Sequence, residues 1–232
     1  MTEMELRQLF VDTLYEYHGA GDGNALHRKL LDVYNSNPNL PRGYKMTVKD
    51  PWCATTPSAV AIQLGIEDIV FPECSCSRMI QLYKAAGRWQ ERDDYLPQIG
   101  DLMMYDWDDN GNGDCTGAPE HVGVVCGHSE NVIYVAEGNM DNWFGVRAMV
   151  VGSRYIRGYC CPDFAAKAGK EEKDMSKFKD VPDGKWYTKP IEKAAELGLM
   201  AGISETEFGL GQPVTREQLA TVVVKLHEIL SK

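Results

Sequence analysis

The stretch DPWCATTPSAVAIQLGI, residues 50–66, sets one cysteine between a tryptophan and an apolar run. A thiol becomes a nucleophile when it ionises. A helix N-terminus favours that, because unpaired backbone N–H groups and the helix dipole stabilise a thiolate and can also hold an oxyanion. Cys53 has this setting if the run after it is a helix that ends at Gly65. The chemistry then needs an imidazole to take the thiol proton and a third group to orient the ring. His121 follows 68 residues on, at the start of EHVGVV, and 16 residues further Glu137 and then Asn139 stand in AEGN. Thiol, imidazole and acid would together support acyl transfer. Among the other histidines, His27 is the one whose predicted helix could face the site.

A second pattern lies in DWDDNGNGDCTGAPE. Asp106, Asp108, Asn110 and Asp114 fall at positions 1, 3, 5 and 9 of a calcium-type loop with Gly111 at 6, but position 12 is Gly117 where a bidentate Glu is expected. The spacing admits a structural calcium, and the proposed acyl chemistry requires no cofactor. The seven cysteines (Cys53, Cys74, Cys76, Cys115, Cys126, Cys160, Cys161) lack the paired spacing of zinc sites, and their odd count leaves at least one unpaired. Cys126, inside HVGVVCGH, reads as a small buried hydrophobe.

These groups need elements to carry them. The chain has 232 residues, 44% of them hydrophobic, enough for one sizeable core and a small second unit. A net charge of −10 with no basic stripe argues against nucleic acid as a partner. No window approaches the roughly 18 apolar residues of a membrane span, and the acidic N-terminus is unlike a signal peptide, so synthesis in the cytoplasm and no membrane partner are expected. Leu6, Leu9, Phe10, Thr13 and Leu14 share one helical face, and NALHRKLLDVYN repeats the period before the breaker run SNPNLPRG. A third helix is predicted from near Cys53 to Gly65 and a fourth from Ser75, its N-cap, to Gly87. LMMYDW, HVGVVCG, NVIYVAEG, VRAMVVG and YIRGYC then read as antiparallel strands. Helices first and sheet after predicts an α+β fold over 1–164. A charged segment at 165–177 reads as a solvated linker, and 178–232 as helix, glycine-rich loop, helix, with Thr215 as N-cap and Glu217 or Gln218 as its partner.

The words DPWCA, GDLMMYDW, EHVGVV and AEGN, in that order, resemble the CHAP family of cysteine- and histidine-dependent amidohydrolases/peptidases that cut bacterial peptidoglycan, in a form similar to phage endolysins. The resemblance implies a papain-like domain with Cys53 as nucleophile, His121 as base, Glu137 as orienting acid and Asn139 as a polar group completing the site. WCATTP departs from the family's WCAA by placing Pro57 near the helix start. Trp52 and Trp143 become candidate substrate contacts, although core packing is the stronger reading for Trp52.

FKDV, WY, AAELGLMAG and PVTREQLA resemble the S-layer homology motif across 178–230. This implies binding of secondary cell-wall polymer, with Arg216 meeting anionic groups and Trp186 either packing in the unit or meeting sugar. Such motifs usually act in threes, so a single one predicts a homo-oligomer. An internal translation start at Met175 would supply a free partner for it. The expected protein is a peptidoglycan hydrolase acting on the wall after release at lysis, most simply an N-acetylmuramoyl-L-alanine amidase. An endopeptidase is the alternative within the enzyme class, and an inactive wall-binding protein the alternative outside it.

Overall fold

The computed structural model describes residues 1–92, 95–109, 117–168, 178–182, 185–204 and 206–230. The chain forms two compact units, Met1–Gly169 and Lys170–Lys232.

The first unit is α+β. Helices α1 (Glu3–Tyr15), α2 (Ala25–Asn35), α3 (Thr55–Leu64) and α4 (Cys76–Ala85) precede strands β1 (Trp89–Gln90), β2 (Leu102–Tyr105), β3 (His121–Ser129), β4 (Val132–Met140), β5 (Trp143–Val150) and β6 (Ile156–Cys160). A short helix, α5 (Phe164–Lys167), follows them. The strands form one antiparallel sheet in the spatial order β1-β6-β2-β3-β4-β5. Helices precede sheet as the residue patterns predict. The two-residue β1 was missed because a pair of residues carries no readable alternation.

Local chemistry sets the helix ends. Thr2 and Glu5 form a capping box on α1, and the Asn24 side chain accepts the His27 N–H at the start of α2. Gly65, with φ 66°, ends α3 in the left-handed conformation that favours glycine. Ser75 precedes α4, but its side chain makes no capping bond. The buried Glu73 carboxylate instead accepts the Cys74 and Ser75 N–H groups at 2.8 and 3.2 Å. The segment predicted as linker from 165 begins with helical residues of α5, because Phe164 is buried against Phe10 with ring centroids 5.7 Å apart.

Alternation along the strands divides the apolar side chains between two cores. Leu102, Met104, Val122, Val124 and Ala136 join the helices, while Met103, Tyr105, Val125, Ile133, Val135 and Met149 join a second cluster with Ile156 and Tyr159. Helix α3 is buried from Thr55 through Ala61. Two of its hydroxyls are satisfied, Thr56 donating to the Trp52 carbonyl and Ser58 to those of Ala54 and Glu73, each at 2.8 Å, while the buried Thr55 hydroxyl has no partner among the described residues. Pro57 is the third residue of α3, inside the first turn, where no intrahelical N–H bond is required of it.

In the second unit, α6 (Thr188–Glu196) and α7 (Arg216–Leu230) flank the glycine-containing loop. Thr215 and Gln218 form the reciprocal cap of α7, with the two N–H bonds at 2.8 and 3.3 Å. The Asp180 carboxylate accepts N–H groups from Phe208, Gly209 and Leu210 at 2.8, 2.7 and 2.8 Å, which ties FKDV to the loop. No described helix is long and apolar enough to cross a membrane.

Candidate active site

Cys53 lies just before α3, and the Trp52 carbonyl already accepts the Thr56 N–H at 3.1 Å in helical fashion. The thiol therefore sits in the turn that starts the helix, only 6% exposed. His121 opens β3 and Glu137 lies on β4, so strand order alone sets these two side by side. His121 Nε2 lies 3.0 Å from Glu137 Oε2. The sheet brings the helix start and the strand start together by close packing at glycine. A Cβ on Gly138 would run into Thr56 Oγ1 and the Trp52 ring, and one on Gly123 would meet Val135 and Glu137 side-chain carbons at 2.5 and 2.6 Å.

Glu137 is fully buried and accepts from three sides. Besides His121, Tyr105 OH donates to Oε1 at 2.5 Å, and Arg147 donates through Nε and Nη2 at 3.0 to 3.2 Å. Burial opposes its charge, but hydrogen bonds from His121, Arg147 and Tyr105 hold the carboxyl below its usual range. An ionised Glu137 only accepts, so the proton on that side belongs to Nε2. Nδ1 is then the ring nitrogen left to exchange a proton with Cys53.

Electrostatics complete the pair. Hydrogen bonding with Cys76 is the largest influence holding the Cys53 thiol well below its ordinary range, and it acts against burial together with the hydrogen bond and charge of His121 and the Ala54 N–H. Burial opposes a charge on His121, yet Cys53 and Glu137 outweigh it and lift its pKa to about 9. A thiol held low beside an imidazole held high favours thiolate with imidazolium, the form that attacks a carbonyl.

Asn139 stands in a β-bulge two residues beyond Glu137, half-buried with φ 61°. The structure pairs Glu137, not Asn139, with the imidazole. Trp52 is corrected as a substrate contact: it is fully buried, stacked on His27 at 4.6 Å and donating through Nε1 to Asp22 at 2.8 Å, so no substrate ring reaches it. His27 consequently supports Trp52 from below, with Nδ1 accepting the Gly23 N–H. Trp143, by contrast, is 58% exposed at the start of β5 and packs on Gly21, where a Cβ would enter its ring. Trp107 stacks on Tyr105 at 4.6 Å beneath the Arg147 guanidinium.

Sequence reasoning missed Tyr105, Arg147, Asp22 and Cys76. Tyr105 is in register with His121, and Arg147 opposite Val135 lies diagonal to Glu137. Those relations exist only once strands pair. Glu137→Gln should leave partial activity and shift the alkaline limb of the rate profile to lower pH, because a neutral amide no longer supports the imidazolium. Initial rates of wall clearance across pH check this.

Of the calcium-loop residues, Asp106 is buried and Asp108 exposed, while Asn110 and Asp114 lie outside the described residues, as does Met175. Gly117 packs against the Asp106 carboxylate, and its carbonyl accepts from Arg157 at 2.7 Å. Among the described residues no group of three or more His, Cys, Asp or Glu could hold a metal ion.

In the second unit, Arg216 is the exposed first residue of α7. Trp186 is 86% exposed and edge-on to Tyr187, which corrects the packing reading and leaves its indole face open. A cleft of about 330 Å³ lies between the 199–203 segment, the Phe208–Val214 loop and α7. Residues 177–220 match the family model of the S-layer homology domain. No curated protein and no solved structure matches the chain.

Proposed function

We propose that the chain is a modular peptidoglycan hydrolase, a cysteine amidohydrolase/peptidase of the CHAP type with a papain-like first unit and a wall-binding second unit. The observation that carries the reading is the meeting of Cys53, His121 and a buried, ionised Glu137 at the start of a helix. His121 holds the thiol proton, the Cys53 thiolate attacks an amide carbonyl, and helix-start N–H groups face the developing oxyanion. His121 then protonates the leaving amine, and water releases the thioester. Exposed Trp143 offers ring surface to a glycan or stem peptide at the site's margin.

Amidase action on the muramoyl-L-alanine bond is our preferred assignment, in a phage endolysin released to the wall at lysis. Mass spectrometry of digested peptidoglycan tests it. Free stem peptides with an N-terminal L-alanine mean amidase, new termini within the stem or bridge mean endopeptidase, and an undigested wall removes the enzyme reading. A structural calcium at Asp106, Asp108, Asn110 and Asp114 rests on sequence spacing, and no step above passes through it.

The second unit would grip secondary cell-wall polymer through Arg216 and Trp186, and it would do so as an oligomer. Leu219, Val223, Val224 and Leu226 of α7 are all exposed, as are Leu197, Ile203 and Val214 around it. A unit this small buries little apolar surface alone, and association would cover that face. Light scattering should show the full chain as an oligomer at tens of micromolar and a chain ending at Gly169 as a monomer. A monomeric full chain would overturn the association.

A further inference from the structure

Cys76, the first residue of α4, makes and breaks no bond in the proposed hydrolysis, but it hydrogen-bonds the nucleophile, with its Sγ 3.9 Å from Cys53 Sγ. Both cysteines are free and buried. Among the described residues this is the one pair of thiols in direct contact: Cys74 Sγ meets Arg42, Cys126 meets Tyr15 and Cys161 meets Tyr95. α3 and α4 are braced to each other here, since Ser58 Oγ of α3 bonds both the N–H and the carbonyl of Glu73, whose carboxylate holds Cys74 and Ser75. The two sulfurs therefore stay neighbours, and a disulfide needs the remaining gap to close to about 2.0 Å.

We propose that Cys53 and Cys76 are a reversible oxidation site, in which Cys76 captures the oxidised nucleophile as a disulfide and shuts the site. The oxidant class is a peroxide. Cys53 thiolate attacks one peroxide oxygen, the O–O bond breaks, hydroxide leaves, and Cys53 carries a sulfenic acid. Cys76 sulfur then attacks the Cys53 sulfur. The S–O bond breaks, the sulfenic oxygen departs as water with the Cys76 proton, and the S–S bond forms. Two thiols are oxidised and one peroxide is reduced to water.

The site favours this order of events. Cys53 is the thiolate of the pair, and its hydrogen bond, with burial, keeps Cys76 protonated well above the usual thiol range. Once Cys53 is a neutral sulfenic acid, its thiolate no longer holds the Cys76 proton, burial is left as the main opposition to ionisation, and Cys76 is the neighbouring sulfur placed to attack. Capture would spare Cys53 from irreversible sulfinic acid, and a thiol reductant would restore it.

The inference uses the reactive thiolate of the reading above but has its own readout. Full-length protein is exposed to hydrogen peroxide, alkylated, digested and mapped by mass spectrometry. The expected product is a peptide joining Cys53 to Cys76, two hydrogens lighter than its parts, with wall-lysing activity lost and then recovered after dithiothreitol. In Cys76→Ser, which keeps a hydrogen-bond donor beside the Cys53 thiolate, Cys53 should instead reach sulfinic acid, and recovery should fall about tenfold below that of the parent. Cys53 sulfinic acid with no crosslink in the parent protein would overturn the proposal, as would recovery in Cys76→Ser equal to that of the parent. The crosslink is scored without any activity, so a protein that crosslinks but does not lyse walls counts against the hydrolase reading alone.

Discussion

Cys53→Ala should abolish clearance of purified cell walls, with a fall of about 10⁴-fold or more and no compensating change in substrate affinity. The size follows from the division of labour in such sites: removing the nucleophile leaves only binding and oxyanion stabilisation, and single losses cost nearly as much as losing the whole set. The fold should persist. One sulfur leaves a buried position beside α3, which is worth about 1 kcal/mol, and the melting temperature of a unit this size should move by about 2–4 °C. Turbidity loss and thermal melting, measured on the same preparation, separate the two effects. Near-native clearance by Cys53→Ala would end the mechanism.

His121→Ala should lower the rate by about 10³-fold or more, through the loss of both proton transfers. It also carries a signature that a merely structural residue lacks. Hydrogen bond and charge from His121 help to keep the Cys53 thiol low, so its removal should raise the pH at which iodoacetamide alkylates Cys53. The unaltered protein should work from below the ordinary thiol range up to about 9 and lose activity above, as the imidazolium gives up its proton. The sign for stability is the same. A histidine pKa raised from 6.5 to about 9 adds stability that is complete below about 6.5 and is lost as pH rises through about 9. Unchanged Cys53 alkylation in His121→Ala would show that the ring does not govern the thiol.

Much of this site was legible before any coordinates. Cys53 and His121 sit at element boundaries marked by local composition, an apolar run after WCA and a β-branched strand after His121, whereas Glu137, read as following the strand VIYV, lies inside β4, which runs on to Met140. Boundaries of that kind follow from propensity and periodicity, which act over a few residues. Core packing of Trp52 was the stronger reading and holds, but its particular neighbours and the exposure of Trp186 were not legible, because a tryptophan's neighbours are chosen by the fold. Trp52 is sealed between Asp22 and His27 at the start of α2 and Gly138 of β4, two segments far apart in the chain, while Trp186 is exposed on its own unit.

The order of helices and strands, the Gly65 stop of α3 and the Thr215 cap of α7 were determined by the sequence alone, since each rests on residues within about one turn of each other. Only the tertiary structure decided which groups surround the reacting atoms. Tyr105, His121, Glu137 and Arg147 occupy four strands and become neighbours through register, which depends on pairings across the whole sheet. Cys76 meets Cys53 because α3 and α4 pack in one core. Such contacts join residues from 10 to 42 positions apart, and no local rule reaches that far.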